Sequence, residues 1–237
     1  MLEYRYRTIK PSDFHSHFSE MADPPKNLWI AGDIPPKDYK MLCVVGARSY
    51  SAYGHEVCTS LINGLEGYPI CIVSGLALGI DTIAHEAALE ASLPTVAFPG
   101  SGLEQKVLYP VRNRGLAERI IENKGCLISE FPPDLAAQEW TFPKRNRLMA
   151  GCADLVLIIE GGQRSGTNIT ARLALDYNRT IGAVPGSIFS PLSYTPHELL
   201  REGAFPITSS HDILNLLNIA EHSDTPSTTS LMIEDPP

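Results

Sequence analysis

Four short segments of the sequence combine glycine with small, hydroxyl or basic side chains, and they hold most of the residues that could bind an anion. The candidates in them are Gly46, Ala47, Arg48, Ser74, Gly75, Leu76, Gly100, Ser165, Gly166 and Thr167. Glycine lets the backbone come close to a ligand, and the amides at the start of a helix favour a negative charge. One such loop alone is more simply explained as a reversal of the chain. The four together predict a phosphate site where the loops converge.

Basic residues lie beside these glycines and in one further segment. Arg48 and Arg164 adjoin two of the loops, and Arg112 follows a third. The segment FPKRNRLMAG contributes Lys144, Arg145, Asn146 and Arg147. Guanidinium and ammonium groups bind phosphate oxygens through charge-assisted hydrogen bonds, so this set suits a ligand with several phosphates. Alternatively, Arg147 and Arg164 form ion pairs that only hold loops together, with partners among Glu130, Asp154 and Glu160.

Two other groups of residues allow a catalytic or a base-stacking interpretation. Asp81 and His85 lie four residues apart on one predicted helix, but a helix cap combined with a surface pair explains them more simply than an acid/base pair. Tyr109, Trp140 and Phe142 could stack a base, although core packing accounts for most aromatic residues. We therefore assign no catalytic residue from the sequence.

Several cofactor classes lose support because their motifs are missing. The sequence has no GxxxxGK[ST] motif for ATP, and no GxGxxG follows the first strand with an acidic residue placed for a ribose. The five cysteines are scattered, with neither CxxC spacing nor a histidine cluster, which disfavours disulfides and structural zinc. We predict no cofactor and no metal.

The charge balance limits how the protein could bind nucleic acid. A net charge of −8 disfavours binding over the whole surface, because affinity for phosphate comes from Lys and Arg. Basic residues are concentrated between Arg112 and Arg179, so a focused positive patch can exist on an acidic protein. The sequence contains no pattern typical of a secretory signal or a membrane span, so we expect a cytoplasmic protein with no membrane partner.

The elements that must position these residues follow an alternation of strands and helices. Apolar, β-branched runs predict strands at 41–46, 69–74, 95–100, 126–131, 154–160 and 180–186. Helices are predicted at 52–66, 80–91, 112–123, 144–151 and 167–178, with an amphipathic helix at 211–220. This order predicts an α/β fold with a doubly wound, mostly parallel sheet, in which ligands bind beyond the carboxyl ends of the strands.

The 237 residues suffice for one main domain of this kind. Residues 1–40 are predicted to be an ordered, proline-containing lead-in, and residues 41–220 the α/β domain. Residues 221–237, rich in Ser, Thr and Pro, are predicted to be a disordered tail.

The glycine-rich and basic motifs also occur in a specific order. They are VVGARSYSAYG, IVSGLALGIDTIAHEAAL, PGSGL followed by YPVRNRGLAERI, LISEFPP, FPKRNRLMAGCADLVLIIEGGQRSGTNITARLAL and AVPGSIFSPLS. In this order they closely resemble the DNA-processing protein A (DprA, also called Smf) family, over about residues 23–216. The pairs SGLALGID/AH and FPKRNRLMAG/RSGTNITA are far more specific than a short glycine motif.

The resemblance implies an extended Rossmann-like domain that binds single-stranded DNA through a basic pocket, protects it and helps to load a RecA-type recombinase in natural transformation. It implies no catalytic step. By position, Arg48 is similar to the family's arginine after the first strand, and the loops at 74–75 and 165–167 to its phosphate-facing loops. Arg145 and Arg147 would rim the pocket. Because the family self-associates, a homodimer is possible, with apolar faces at 195–202 and 211–220.

The sequence departs from the family pattern at two places, and two other functions stay open. Val111 stands where relatives often carry a basic residue, and the segment 193–197 lacks a glycine. A nucleotide phosphoribohydrolase of the lysine-decarboxylase-like group is one alternative, because EGGQRSGTNITA resembles its PGGxGTxxE motif. Ile169 and Thr170 occupy the place of its carboxylate, which weakens this alternative. A sensor of free nucleotides is the other.

Overall fold

The computed structural model of the chain describes residues 5–163 and 165–221. Within these residues one sheet contains β1 (Tyr6–Ile9), β2 (Leu28–Gly32), β3 (Lys40–Val45), β4 (Ile70–Ser74), β5 (Thr95–Ala97), β6 (Cys126–Ser129), β7 (Leu155–Ile158), β8 (Thr180–Ala183) and β9 (Phe205–Pro206). The helices are α1 (Pro11–Phe14), α2 (Ala52–Asn63), α3 (Ile80–Glu90), α4 (Arg114–Glu122), α5 (Thr141–Cys152), α6 (Gly166–Asp176), α7 (Tyr194–Arg201) and α8 (Ser210–Leu216). Short 3₁₀ turns lie at Ser16–Glu20, Val111–Asn113 and Pro191–Ser193.

The strands are ordered β1-β2-β6-β5-β4-β3-β7-β8-β9 across the sheet. The strands from β3 to β9 run parallel to one another. At one edge of the sheet, β2 pairs antiparallel with β6, and β1 pairs antiparallel with β2. The direction of winding reverses at β3, because β4 lies on one side of it and β7 on the other. The predicted doubly wound, mostly parallel sheet is confirmed, and its ligand crevice is expected at this reversal.

Helices cover both faces of the sheet. Successive residues of a strand point to opposite faces, so β3 contributes to two cores. Met41, Cys43 and Val45 pack with residues of α5 and α6. Leu42 and Val44 pack with residues of α2, α3 and α8. Burial on both faces explains why the central strands are apolar throughout rather than alternating.

The structure adds elements that the sequence pattern did not predict. β1 and β2 lie in the proline-containing lead-in, where β1 is largely exposed and carries no apolar run, and β2 stands between Pro25 and Pro35, which predicted irregular structure there. α7 and β9 follow β8, in a segment for which the sequence pattern predicted neither a helix nor a strand. α5 begins at Thr141 rather than at residue 144, because a proline such as Pro143 is tolerated in the first turn of a helix.

Three further expectations concern the C-terminal tail, the cysteines and a membrane span. The tail predicted at 221–237 lies outside the described residues, except for Glu221. All five cysteines are buried as free thiols. Within residues 5–163 and 165–221, no helix is both long and apolar enough to cross a membrane.

Candidate functional site

An open cavity of about 590 Å³ lies beyond the carboxyl ends of β3 and β7. Its walls come from the loop after β3, the first turns of α5, and the segment from β7 into α6. Of the predicted candidates, those that line the cavity are Gly46, Ala47, Arg48, Arg145, Asn146, Ser165, Gly166 and Thr167. The structure thus brings three predicted segments together at the point where an open α/β sheet binds its ligand.

The loop after β3 is held tightly against the start of α3. The amide of Ile80 donates to the carbonyl oxygen of Ala47 at 3.2 Å, and a β-carbon on Gly46 would lie 2.6 Å from Cγ1 of Ile80. Gly79 has φ +89°, and a β-carbon there would lie 2.5 Å from the carbonyl oxygen of Arg48. Among the described residues, the amides of Ala47 and Arg48 make no hydrogen bond. They are therefore available to an anion.

Arg145 is the buried cation of the cavity, and its residue is only 5% exposed. Nη1 donates to the main-chain oxygens of Gly75 and Phe98, the latter at 2.5 Å. Nε donates to Oδ1 of Asn146 at 2.9 Å. In the described part of the chain Nη2 makes no hydrogen bond, so this nitrogen is available as a donor to a ligand in the cavity.

Asp81 lies close to Arg145 and fixes the loop after β4. Its Oδ2 accepts hydrogen bonds from the amides of Gly75 at 3.1 Å and Ala77 at 3.4 Å. Burial raises the pKa of Asp81, while Arg145 and the two amides act in the opposite direction. Burial also lowers the pKa of Arg145, and Asp81 counteracts this. Because a guanidinium does not lose its proton in proteins, the base of the cavity keeps a positive charge.

The interpretation of Asp81 and His85 as a helix cap with a surface pair is wrong in both parts. The N-cap of α3 is Gly79, Asp81 accepts from amides of the loop before the helix, and both residues are buried. α3 packs on the sheet between α2 and α4, which leaves little of its surface exposed. Nδ1 of His85 lies 2.7 Å from Oγ1 of Thr95, whose own proton goes to the main-chain oxygen of Ile72 at 2.9 Å. Nδ1 is therefore the donor. Burial lowers the pKa of His85 to about 3, with a smaller effect from Arg145, so the ring is neutral.

The start of α6 forms the opposite side of the cavity. The Ser165 hydroxyl accepts from the amide of Thr167 at 3.2 Å and donates to Oγ1 of Thr167 at 2.7 Å. The hydroxyl proton of Thr167 is thereby free for a ligand. A β-carbon on Gly166 would meet no atom within 4 Å, so the space beside this helix start is open. The positive end of the α6 dipole adds to the attraction for an anion. Arg164 lies outside the described residues.

A smaller cleft of about 30 Å³ adjoins the cavity and shares Arg48, Phe142 and Arg145 with it. The predicted residues Gly75 and Gly100 line this cleft. A β-carbon on Gly100 would lie 2.5 Å from Cδ1 of Phe142, so this glycine lets the ring pack on the loop after β5. The guanidinium carbon of Arg48 lies 5.6 Å from the centre of the same ring, within cation–π range.

The other described candidates line neither opening. Ser74 is buried, and its hydroxyl donates to the main-chain oxygen of Val44 at 2.7 Å, while Leu76 is fully buried. Arg112 is exposed in the 3₁₀ turn before α4. The ammonium nitrogen of Lys144, also exposed, lies 5.5 Å from the centre of the Trp140 ring.

Arg147 takes the loop-holding role that the sequence left open. It forms an ion pair with Glu130 and donates to the main-chain oxygen of Asp23 at 2.8 Å. Burial raises the pKa of Glu130, and Arg147 counteracts this. Glu160, in contrast, accepts from the amide of Ser51 at 3.0 Å and from its hydroxyl at 2.5 Å. Arg147 therefore ties α5 to the loop after β6 and to the segment before β2.

Several residues that line the cavity were not among the predicted phosphate-binding candidates. They are Val45, Ser49, Ala77, Asp81, Glu139, Phe142, Pro143, Met149, Gly162, Ile169, Thr170 and Leu192. Ser49 and Pro143 directly adjoin a candidate in the sequence, and Ile169 lies two residues after one, so extending each motif by a few residues would have found them. Leu192 comes from the 3₁₀ turn after β8, and no local pattern marks it.

Comparison with known proteins gives a consistent result over nearly the whole chain. A family model described as DNA recombination-mediator protein A matches residues 5–218. Protein Smf of Escherichia coli is 38% identical over 85% of this chain and 53% of its own length. The DNA processing protein DprA of Streptococcus pneumoniae is 40% identical over 83% of this chain and 68% of its own length. The chain therefore spans about half of the E. coli relative.

Solved structures show the same likeness. The X-ray structure of DNA processing protein A from Streptococcus pneumoniae has a TM-score of 0.82 at 35% identity and covers 92% of this chain and 76% of its own. The protein from Helicobacter pylori, whose structure was reported for its single-stranded DNA binding mode, has a TM-score of 0.78 at 28% identity, covering 92% and 98%. A molybdenum cofactor binding protein from Rippkaea orientalis, at 14% identity and a TM-score of 0.53 over 77% and 98%, shares the fold alone.

Proposed function

The chain belongs to the DNA recombination-mediator protein A family, and on that premise we propose that it binds single-stranded DNA by its phosphates in the cavity. The observation that carries the proposal is the placement of buried Arg145 and exposed Arg48 around the amides of Ala47 and Arg48, which make no hydrogen bond to the residues that the structure describes. The Helicobacter pylori relative, reported for its single-stranded DNA binding mode, shares the fold over 92% of this chain. Contacts to phosphate carry no sequence information, so binding should depend little on base sequence.

The donors of the cavity suit more than one phosphate. Arg48 and Arg145 supply guanidinium groups, and Thr167 supplies a hydroxyl next to the positive end of α6. The carboxylates that line the described cavity are Asp81 and Glu139, and Asp81 is already engaged by two amides. With a net charge of −8 on the whole chain, such binding would be confined to this patch.

We propose a binding role rather than catalysis for this cavity. A glycosidic hydrolase would need a carboxylate free to act as acid or base near the ligand. Ile169 and Thr170 occupy the positions where the related hydrolases would place one, and both line the cavity. The oxygen Oδ2 of Asp81 is directed at the loop amides, so this carboxylate serves to shape the loop. Glu139 comes from the segment before α5 and not from α6, where those hydrolases place their carboxylate.

We further propose that bound DNA is protected and passed to a RecA-type recombinase, which the description of the family as recombination mediators supports.

A homodimer is part of this proposal. Leu199, Ile213 and Leu214 are buried in the cores of the chain itself, so a dimer surface at 195–202 and 211–220 would use the residues there that stay exposed. Crosslinking or sedimentation of the chain with and without the recombinase tests both parts.

The direct test is a fluorescence-anisotropy titration of labelled single-stranded and double-stranded oligonucleotides at several salt concentrations. We expect tighter binding of the single strand, with an affinity that falls steeply with salt. For Arg48→Ala, the slope of log K against log salt should shrink by about 0.7, the value for one phosphate contact on a single strand. Arg119→Ala is the matched control, because Arg119 is half exposed and pairs with Glu86 on the surface at 3.8 Å.

Three results would count against this proposal. Absence of single-strand binding by the wild type at low salt would refute it. Release of free base from nucleoside monophosphates by the wild type would instead favour the hydrolase alternative. An unchanged salt slope in Arg48→Ala would show that the DNA binds elsewhere.

A further inference from the structure

Glu139 is a carboxylate of the cavity that DNA binding leaves without a role. Its exposed side chain lines the cavity from the turn before α5 and makes no hydrogen bond or ion pair with the residues that the structure describes. Asp81, in contrast, is engaged by the amides of Gly75 and Ala77. The sugars and phosphates within a DNA strand carry no hydrogen-bond donor, and the charge of Glu139 opposes a phosphate beside it. Glu139 therefore suits a ligand whose sugar keeps its hydroxyl groups.

The turn that carries Glu139 is held on both sides. The amide of Gln138 donates to Oγ1 of Thr141 at 3.1 Å, and the amide of Thr141 donates to the main-chain oxygen of Gln138 at 3.1 Å. The Thr141 hydroxyl reaches the main-chain oxygen of Gly100, in the loop after β5, at 2.5 Å. The fold itself therefore places Glu139 at the cavity before any ligand arrives, which lowers the entropy cost of binding.

The phosphate donors of the same cavity suit a terminal phosphate. Within the described part of the chain, the amides of Ala47 and Arg48 and Nη2 of Arg145 make no hydrogen bond, and Arg145 is only 5% exposed. Thr167 adds a hydroxyl at the positive end of α6. A phosphate inside a strand carries one charge and is linked on two sides. A terminal phosphate carries about −1.5 to −2 charges and offers three oxygens to such donors.

We propose that the cavity is also a binding site for a free ribonucleoside 5′-diphosphate or 5′-triphosphate, with its phosphates on these donors and its ribose hydroxyls donating to Glu139. The cavity of about 590 Å³ lies within the range of roughly 300–1,000 Å³ for small-molecule sites. In doubly wound sheets an acidic side chain near the winding reversal accepts from the ribose. Here that acid precedes α5 and follows no GxGxxG motif, so a motif search does not find it.

This second ligand goes beyond the proposed function, because nucleotide and DNA would exclude each other from one cavity. The first test is calorimetric titration with ADP and with 2′,3′-dideoxy-ADP, which lacks the ribose hydroxyls. We expect the wild type to bind ADP about 10-fold more tightly, as for a hydrogen bond to a charged group. Glu139→Ala should bind both nucleotides alike. Glu66→Ala is the matched control, because this glutamate is also exposed and unpaired within the described residues but does not line the cavity.

The second test is displacement of a labelled single-stranded oligonucleotide. ADP at ten times its own dissociation constant should weaken apparent DNA binding about 10-fold. Arg48→Ala should weaken both ligands, because Arg48 lines the shared cavity. In Glu139→Ala the DNA should bind at least as tightly as in the wild type, since a negative charge is removed from beside its phosphates.

The outcomes separate the two proposals. DNA binding without ADP binding refutes the nucleotide site and leaves the proposed function standing. ADP binding without DNA binding does the reverse. ADP that binds but does not displace DNA overturns the shared cavity. Equal binding of ADP and dideoxy-ADP by the wild type, or an ADP preference that survives in Glu139→Ala, overturns the role of Glu139.

Discussion

Nη1 of Arg145 donates a hydrogen bond to the main-chain oxygen of Gly75, so the buried cation of the cavity also ties the loop after β4 to α5. The same nitrogen bonds the main-chain oxygen of Phe98 at 2.5 Å, just after β5. The shape of this site and its buried positive charge therefore depend on one side chain. Changes near Arg145 will affect both folding and binding, and the variants below are chosen to separate the two.

The absence of a side chain at Gly75 is predicted to matter for stability. A β-carbon there would lie 2.6 Å from Cζ of Arg145 and 2.6 Å from Oδ2 of Asp81, both of which are fixed by hydrogen bonds. Gly75→Ala should therefore lower the free energy of unfolding by about 1–3 kcal/mol, the cost of overpacking a filled site. Gly166→Ala is the control, because a β-carbon there meets nothing within 4 Å, and it should stay within about 0.5 kcal/mol. Urea unfolding of both variants measures this, and equal losses would contradict it.

The charge and the geometry of Arg145 are predicted to be separable. Arg145→Lys keeps the charge, but its single nitrogen cannot occupy the position of Nη1, which bonds the oxygens of Gly75 and Phe98, and also that of Nη2, which is left for a ligand, and it loses the bond from Nε to Asn146. Affinity for single-stranded DNA should fall at least about 10-fold, since a charge-assisted hydrogen bond contributes ~1.5–3 kcal/mol. The slope of affinity against salt should stay near that of the wild type, because no charge is lost. A reduced slope would mean that the lysine no longer faces the DNA.

The central sheet and the loops around its reversal could be predicted from the sequence. The parallel strands from β3 to β7 are buried on both faces and so appear as continuous apolar runs, as in residues 155–158 between charged or glycine-rich ends. The carboxyl ends of such strands meet at one edge, which is why Gly46, Arg48 and Gly166 could be placed together without a structure. The strands β1, β2 and β9 could not, because β1 and β9 are largely exposed and carry no apolar run, and β2 stands between Pro25 and Pro35, which predicted irregular structure there.

The roles of individual polar residues could be predicted less well, because they depend on contacts distant in sequence. His85 meets Thr95 inside the core, and Arg147 meets Glu130 from another loop. Spacing along a helix shows which residues share a face, but it does not show whether a second helix covers that face. The same limit explains why Ser74, which bonds Val44 on the neighbouring strand, looked like a ligand contact.

Arg147 is predicted to act on stability and not on DNA binding. Its side chain is 11% exposed and that of Glu130 is 14% exposed, so Arg147→Met leaves a mostly buried carboxylate without its partner. The free energy of unfolding should fall by about 2 kcal/mol, within the range for an unsatisfied buried group. Adding Glu130→Gln should restore part of this loss, since no buried charge remains. The salt slope of DNA binding should be unchanged in both variants, and a slope reduced as in Arg48→Ala would instead assign Arg147 to the DNA contact.

The buried imidazole of His85 is predicted to make the protein less stable in mild acid. Its pKa is about 3 in the folded chain against an ordinary value of 6.5, because burial disfavours the charged ring. Between these values the unfolded chain binds a proton that the folded chain does not, so stability falls as the pH drops below 6.5. From pH 7 to pH 5 this histidine should lower the free energy of unfolding by about 2 kcal/mol.

A His85→Gln variant isolates this effect, because glutamine can still donate to Thr95 and does not titrate. His15, whose pKa is lowered to about 4 mainly by burial, shifts stability in the same direction, and Asp81, whose pKa is raised, shifts it in the other. Both groups are present in wild type and variant, so they cancel in the difference between the two at each pH. The wild type should be the more stable protein at pH 7, and its advantage should shrink by about 2 kcal/mol at pH 5. An advantage that does not change with pH would show that His85 is not held neutral by burial.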